Sequence, residues 1–293
     1  MDWQSGPMSG DIEDRRGDPG GGGFGIGGGG IGIVGFLVLL VISLVTGHNF
    51  LGAFFGSGAP TQQVQQQTEP GEPVQQSAAE GRDAHLISFT LDDVQKTWTQ
   101  IFQEKGWPPY RHAKLVLFRG ATYSGCGTAE AATGPFYCPA DQKVYIDLDF
   151  WDELKKFGGS TADFAQAYVI AHELGHHVQN LIGTEQKVRQ LEEEEPSQQN
   201  HLSVDTELQA DCYAGVWAHS AQQRGIEQPG DIEAALNAAA AVGDDHLQKM
   251  AGRAVSPENW THGSSQQRDY WLKRGFDSGD PSACNTFGGS QPD

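Results

Sequence analysis

The sequence predicts an α+β fold, mostly helical with a small sheet, behind a single N-terminal transmembrane helix. Three observations predict it. Apolar residues recur at helical spacing over 161–183 and 202–224, and both stretches are too long for strands. Only two short runs, 114–118 and 143–148, read as strands. Residues 31–45 form one strongly apolar run, which extended to 24 and 55 reaches the roughly 20 residues that span a bilayer.

Taken in order, residues 1–30 read as a Gly-rich cytoplasmic tail and 31–55 as the anchor. Arg15 and Arg16 precede the anchor, and the next basic residue is Arg82, an asymmetry that favours a cytoplasmic N-terminus and an extracytoplasmic domain at the cell membrane. A buried core helix is the rival reading, but the Gly-rich and Gln-rich flanks offer nothing to bury it against. A cleaved signal peptide is the other, since Ser57-Gly58-Ala59 resembles a small-residue cleavage site. The long acidic leader favours an uncleaved anchor. Residues 56–85, rich in Gln, Pro, Ser and Ala, have too little apolar surface to fold and read as a disordered tether.

Residues 86–293 read as one globular domain. Thr90-Leu91-Asp92-Asp93 resembles a capping box, opening a helix through Glu104. After the strands, 150–157 is a short helix. Ser160 or Thr161 can cap the helix over 161–183, and Gly183 can end it. Glu192 to Glu195, ahead of Pro196, reads as a solvated loop leading to the helix over 202–224. Asp231 opens a further helix through Ala251.

The chemistry sits in His172-Glu173-Leu174-Gly175-His176. Residues four apart share a helix face, so His172 and His176 can offer imidazole nitrogens to one ion. Glu173 is placed to take a proton from a water at that ion rather than to bind it. Such a pattern arises by chance on any helix, and acidic pairs usually line solvated faces. Here a second pattern follows in the right order. Glu207 and Asp211 stand four apart on the next helix, Glu207 as third ligand and Asp211 as acceptor for the ring N–H of a ligating histidine. Gln179 and Ile182 occupy the positions where the metzincin extension needs Gly and His, which excludes that subclass.

His-Glu-Leu-Gly-His-His followed by Glu-Leu-Gln-Ala-Asp resembles the gluzincin arrangement. Gly125-Cys126-Gly127, Gly134 to Pro139, Val144 to Asp147, Glu207 to Cys212 and Thr261 to Arg268 resemble more closely a bacterial family of neutral zinc metallopeptidases. The likeness covers about residues 86–287 and the layout of the anchor. It implies a zincin-like fold, one Zn2+ per chain, and a membrane-linked peptidase acting on extracytoplasmic proteins or peptides; it names no substrate. A non-catalytic zinc-containing envelope binding or scaffold module is the alternative, against which the intact Glu173 argues.

The oxyanion of peptide hydrolysis needs a further donor, for which His262 and Arg268 are the candidates. Thr261-His262-Gly263 resembles the Thr-His-Pro stretch of another membrane zinc peptidase family, with Gly in place of Pro. For His262 the competing reading is a surface or core histidine, and for Arg268 a surface or ion-paired role. Tyr137, Tyr145 and Tyr270 are further candidates, and His177, about 100° round from His176, reads as structural. Residues 144–148 could pair with extended substrate if they form an edge strand.

The formal net charge of -19 and the lack of a basic stripe disfavour nucleic acid, and anionic lipid would repel the domain itself. The partners expected are a peptide or protein substrate and, through the N-terminal helix, the membrane. The chain has 4 cysteines, all beyond the anchor, and an even count there suits disulfides. Cys126 and Cys138 flank one local loop, which leaves Cys212 for Cys284. A zinc site made of all four lacks any C-x-x-C spacing.

Overall fold

In the computed structural model, which describes residues 1–18, 77–130 and 134–288, a four-stranded sheet backs a set of helices. The elements run β1 (Ile12–Asp14), α1 (Ala78–Lys105), β2 (Lys114–Phe118), β3 (Ala121–Ser124), β4 (Gly127–Glu130), β5 (Phe136–Cys138), β6 (Lys143–Asp147), α2 (Phe150–Lys156), α3 (Asp163–Ile182), α4 (Thr184–Glu194), α5 (Gln199–Gln223), α6 (Asp231–Ala241), α7 (Asp244–Met250) and α8 (Ser265–Ser278). The expected α+β class, mostly helical with a small sheet, is what forms.

The sheet order is β1-β2-β6-β5, with β1, β2 and β6 parallel and β5 antiparallel to β6. Alternation along the central strands divides two cores. Leu115, Leu117, Val144 and Ile146 join the helices in the main core. Val116, Phe118 and Tyr145 point the other way, into a smaller cluster with Ala129 of the β3–β4 hairpin and Cys138. Burial on both faces explains why β2 reads as a continuous apolar run.

Several boundaries differ from the sequence reading. Helix α1 begins within the expected tether, because Ser77 and Glu80 form the capping box: Ser77 Oγ accepts the Glu80 N–H at 3.1 Å and Glu80 Oε2 accepts the Ser77 N–H at 2.9 Å. Thr90 to Asp93 lie inside that helix, where Asp93 accepts the Trp217 indole N–H at 2.8 Å. Neither Ser160 nor Thr161 caps α3; Ala162 holds the cap position, while Gly183, at φ 83°, ends the helix as expected. The acidic Glu192 to Glu194 close α4 rather than forming a loop, and irregular structure begins only at Glu195, before Pro196. The helix expected from Asp231 to Ala251 breaks at Gly243, where extended backbone lets Asp244 start α7.

The largest difference concerns the first residues. The described part of the expected tail, residues 1–18, lies along the domain. Ile12 pairs with Leu115 and Asp14 with Leu117. Trp3 Nε1 donates to Asp163 at 2.8 Å, and the Ser9 amide to Ser88 Oγ at 2.7 Å. Two acids of this stretch pair with lysines of the sheet: Lys114 Nζ lies 2.8 Å from Asp11, and Lys143 Nζ 2.7 Å from Glu13. The expected anchor over 31–55 and the tether up to 76 lie outside the described residues. Among the described residues no helix is long and apolar enough to cross a membrane.

Both expected disulfides are present. Cys126–Cys138 ties the turn of the β3–β4 hairpin to β5, and Cys212–Cys284 ties the C-terminal segment to α5.

Docking of β1 is directly measurable. The Arg15 amide donates to the Leu117 carbonyl at 2.7 Å. Hydrogen exchange of the full chain should find this amide protected, where a free tail exchanges within seconds. Ile12→Asp should release that protection and lower stability by about 1–2 kcal/mol in urea titration, the range for a partly buried apolar side chain. An unprotected Arg15 amide would mean that β1 is not docked in solution.

Candidate metal centre

Helix α3 carries His172, Glu173 and His176 on consecutive turns, and α5 carries Glu207 opposite them. The two helices can approach because residue 175 is Gly: a Cβ there would lie 3.0 Å from the Ala210 carbonyl oxygen and 3.1 Å from its Cα. Glu207 therefore reaches both histidines. His172 Nε2 lies 3.2 Å from Glu207 Oε2 and His176 Nε2 3.5 Å from Oε1. The donor atoms of all three residues fall within 4.8 Å of one another.

The other ring nitrogens fix the chemistry of this face. His172 Nδ1 meets Asp211 Oδ1 at 2.8 Å, and His176 Nδ1 meets Gln179 Oε1 at 2.8 Å. Both partners are acceptors, so in the neutral rings both Nδ1 atoms carry the hydrogen and both Nε2 lone pairs face Glu207. Two lone pairs and a carboxylate converging on one point call for a positive charge between them. Two imidazoles and one carboxylate are a donor set that zinc takes, with a position left for water or substrate. The same electrostatics act on protons. Burial disfavours a charged His172, yet Asp211 and Glu207 outweigh it and hold its pKa up at about 10. Burial also works to raise Glu207, but His176 and His172 keep that carboxyl well below its ordinary range.

Asp211, expected behind a ligating histidine, is there and fully buried. Its Oδ1 also accepts from the Tyr168 hydroxyl at 2.5 Å and from Arg268 Nη2 at 3.0 Å, and its Oδ2 from Arg268 Nε at 2.8 Å. Burial opposes the charge on Asp211, but Arg268 and His172 more than offset it and set the pKa at about 2. Arg268 reaches this depth because α8 crosses α5 very closely: a Cβ on Gly275 would sit 1.9 Å from the Cys212 carbonyl oxygen. With 3% exposure, Arg268 lies against Asp211, away from solvent. Its ion pair with Asp211 is the competing role that the sequence reading set beside oxyanion donation. Glu173 is buried beside the histidines, and burial raises its carboxyl pKa against their opposing charge.

His262 is the expected donor that keeps access to solvent, with 37% of its side chain exposed. It lies close enough to Glu207 for each charge to act on the other. Asp244, absent from the sequence reading, shapes its loop. Asp244 Oδ2 accepts the backbone N–H groups of Thr261, His262 and Gly263 at 2.8, 2.7 and 3.0 Å, and Oδ1 lies 3.4 Å from His262 Nδ1. This explains Gly where the resembling stretch has Pro. Gly263 has φ +87°, which a proline ring cannot adopt, and it needs its N–H for Asp244. Gly243-Asp244, a helix-start signal inside an Ala-rich run, was the available clue.

Tyr145 donates to Asp141 at 2.6 Å, and Tyr270 is exposed on α8. His177 is buried between the Arg111 carbonyl at 2.6 Å and the Tyr137 hydroxyl at 3.0 Å. Burial lowers its pKa to about 4, so it stays neutral, donating from Nε2 and accepting at Nδ1. Asn180 donates to the Tyr137 hydroxyl at 2.8 Å, so Tyr137 fastens β5 to α3.

Fold and donor set together define a protein with a His-His-Glu group, on two adjacent helices, that could hold a metal ion. The chain belongs to the family described as Putative neutral zinc metallopeptidase, whose family model matches residues 1–287. It is similar to the uncharacterized protein YpfJ of Escherichia coli strain K12, at 49% identity over 297 residues, covering 99% of this chain and 100% of that protein. The uncharacterized protein Rv2575 of Mycobacterium tuberculosis strain H37Rv is 42% identical over 212 residues, covering 69% of each. No solved structure matches.

The buried position of Arg268 gives a test. Arg268→Met leaves Asp211 without its cation and should cost about 3–5 kcal/mol in urea unfolding, the range for removing one partner of a buried ion pair. A donor that only faced substrate would leave stability near the parent value.

Proposed function

We propose that this protein is a zinc-dependent peptidase that hydrolyses peptide bonds in extracytoplasmic proteins or peptides. The observation that carries the reading is the convergence of both Nε2 atoms and Glu207 with the Glu173 carboxylate beside them. His172, His176 and Glu207 would hold Zn2+, which when bound would supply a Lewis acid for the scissile carbonyl and lower the pKa of a water there. Glu173 takes the proton of the attacking water and delivers it to the leaving amine; a carboxyl raised by burial is suited to that exchange. His262, steered by Asp244, donates to the developing oxyanion. A non-catalytic zinc-containing envelope module would have no use for a buried carboxylate at position 173.

Extended substrate pairs with β5. The strand first suggested, β6, is internal, bonded to β2 on one side and β5 on the other. β5 is the edge next to α3, and an edge strand offers unpaired backbone groups to a peptide.

Glu173→Gln should keep stoichiometric zinc and lose about 10²–10⁴-fold in peptide cleavage, the loss typical of removing a general base. Glu207→Ala should lose metal and activity together. Zinc analysis beside cleavage of a peptide library separates the two, and full activity in Glu173→Gln would refute the role given to that carboxylate.

For localisation, we take the apolar run at 31–45 as the membrane attachment, with the first residues and the metal centre on the same side. Pairing of β1 with β2 supports this over a single crossing, which would part those strands. The two disulfides favour the extracytoplasmic side for both. A protease site inserted at residues 20–23 should be cut in intact spheroplasts. Cutting only after lysis would restore the cytoplasmic N-terminus.

A further inference from the structure

His172 and His176 are supported in different ways. A buried charge, Asp211, holds the first, and a neutral amide, Gln179, holds the second. An amide can present either end to a histidine, so the bond from Gln179 to His176 has meaning only if something fixes which end faces the ring.

The surroundings of Gln179 fix it. Its side chain is 1% exposed. Its Nε2 donates to the Thr206 carbonyl at 2.8 Å and to Gln209 Oε1 at 3.1 Å. Turned round, the amide would set its oxygen against another oxygen at Thr206. Gln209 faces the same choice, and its Nε2 donates to the Cys284 carbonyl at 2.9 Å. Cys284, 1% exposed, is held on α5 by its disulfide to Cys212, and nearby Thr286 Oγ1 donates to the Asp205 carbonyl at 2.6 Å. One line of oriented groups therefore runs from the C-terminal segment through Gln209 and Gln179 to His176 Nδ1. Its acceptor end keeps the hydrogen on Nδ1 and leaves Nε2 bare toward Glu207.

We propose that Gln179 is a positioning residue that selects the metal-binding tautomer of His176, and that Gln209, seated on the disulfide-held Cys284 carbonyl, sets the direction of the Gln179 amide. The C-terminal segment is then part of the support of the metal centre, and the Cys212–Cys284 bond contributes to it. This rests on reading His172, His176 and Glu207 as a metal site.

The test measures two quantities on the full-length protein. Long-range proton–nitrogen NMR reads the His176 tautomer without metal, and chelator competition reads zinc affinity. The parent protein should show hydrogen on Nδ1. Gln179→Leu should mix the tautomers and weaken zinc about 10–100-fold, the loss typical of removing a histidine's supporting partner. Gln179→Glu keeps an acceptor against Nδ1 and should retain the tautomer. Gln209→Met, one bond further away, should mix the tautomers partly and weaken zinc less, about three- to tenfold by the same reasoning. Urea midpoints confirm that each variant folds. A parent-like tautomer and affinity in folded Gln179→Leu would overturn the proposal. Parent-like values in Gln209→Met would overturn the link to Cys284. If the parent protein binds no zinc, the metal reading fails instead, while the tautomer data still judge the line of amides.

Discussion

Arg268 and Asp211 form an ion pair almost entirely out of water, between α8 and α5, and His172 leans on it. Neither charge could stay there alone, since the cost of an unpaired buried ion runs to several kcal/mol. Paired, they do two things. Asp211 remains ionised far below neutral pH, so the ring hydrogen of His172 always has an acceptor. Its two oxygens accept from His172, Tyr168 and Arg268 together, so the carboxylate cannot turn without breaking all of these contacts.

That pairing requires three helices to lie unusually close, and the sequence meets the need with hydrogen in place of side chains. Gly175 lets α3 touch the backbone of α5. Gly215 and Gly275 do the same between α5 and α8, where a Cβ on Gly215 would fall 2.1 Å from the Leu272 carbonyl oxygen. Glycine inside a helix costs about 0.5–1 kcal/mol relative to alanine. The helices accept this because a Glu207 drawn back by the width of a methyl group would no longer reach both rings. Geometry at the centre is thus set by backbone contact and not by long side chains free to wander.

Much of the centre was legible because its spacing is local. His172, Glu173 and His176 need only a helix to come together, and Glu207 with Asp211 needs only a second one. The cysteine pairs could be read from their placement along the chain. Less legible was whatever depends on a contact between distant segments. Arg268 could be read as an oxyanion donor or as an ion-paired residue, but nothing in Ser264 to Arg268 reveals that its partner is Asp211. Asp244 looked like part of a continuous Ala-rich helix, since its role is to gather amides some twenty residues away. The charges around Asp11 to Arg16 have the composition of a solvated tail, yet Asp11 and Glu13 meet lysines at 114 and 143 once the strand pairs with β2. In each case polar residues that would suit water are satisfied by protein, and composition cannot tell the two apart.

The position of β1 also bears on how the chain acquires its shape. This strand is synthesised first, yet its partner β2 ends only at Phe118, so the earliest residues leave the ribosome long before anything exists for them to pair with. Closing so long a loop is entropically slow, and the apolar run emerges in the interval. Pairing of β1 with β2 therefore closes a loop that holds the whole of α1, an entropic cost the sheet meets whatever the order in which the helices assemble. The sheet thus joins strands from Ile12 to Asp147 and cannot be complete until the last of them has been made.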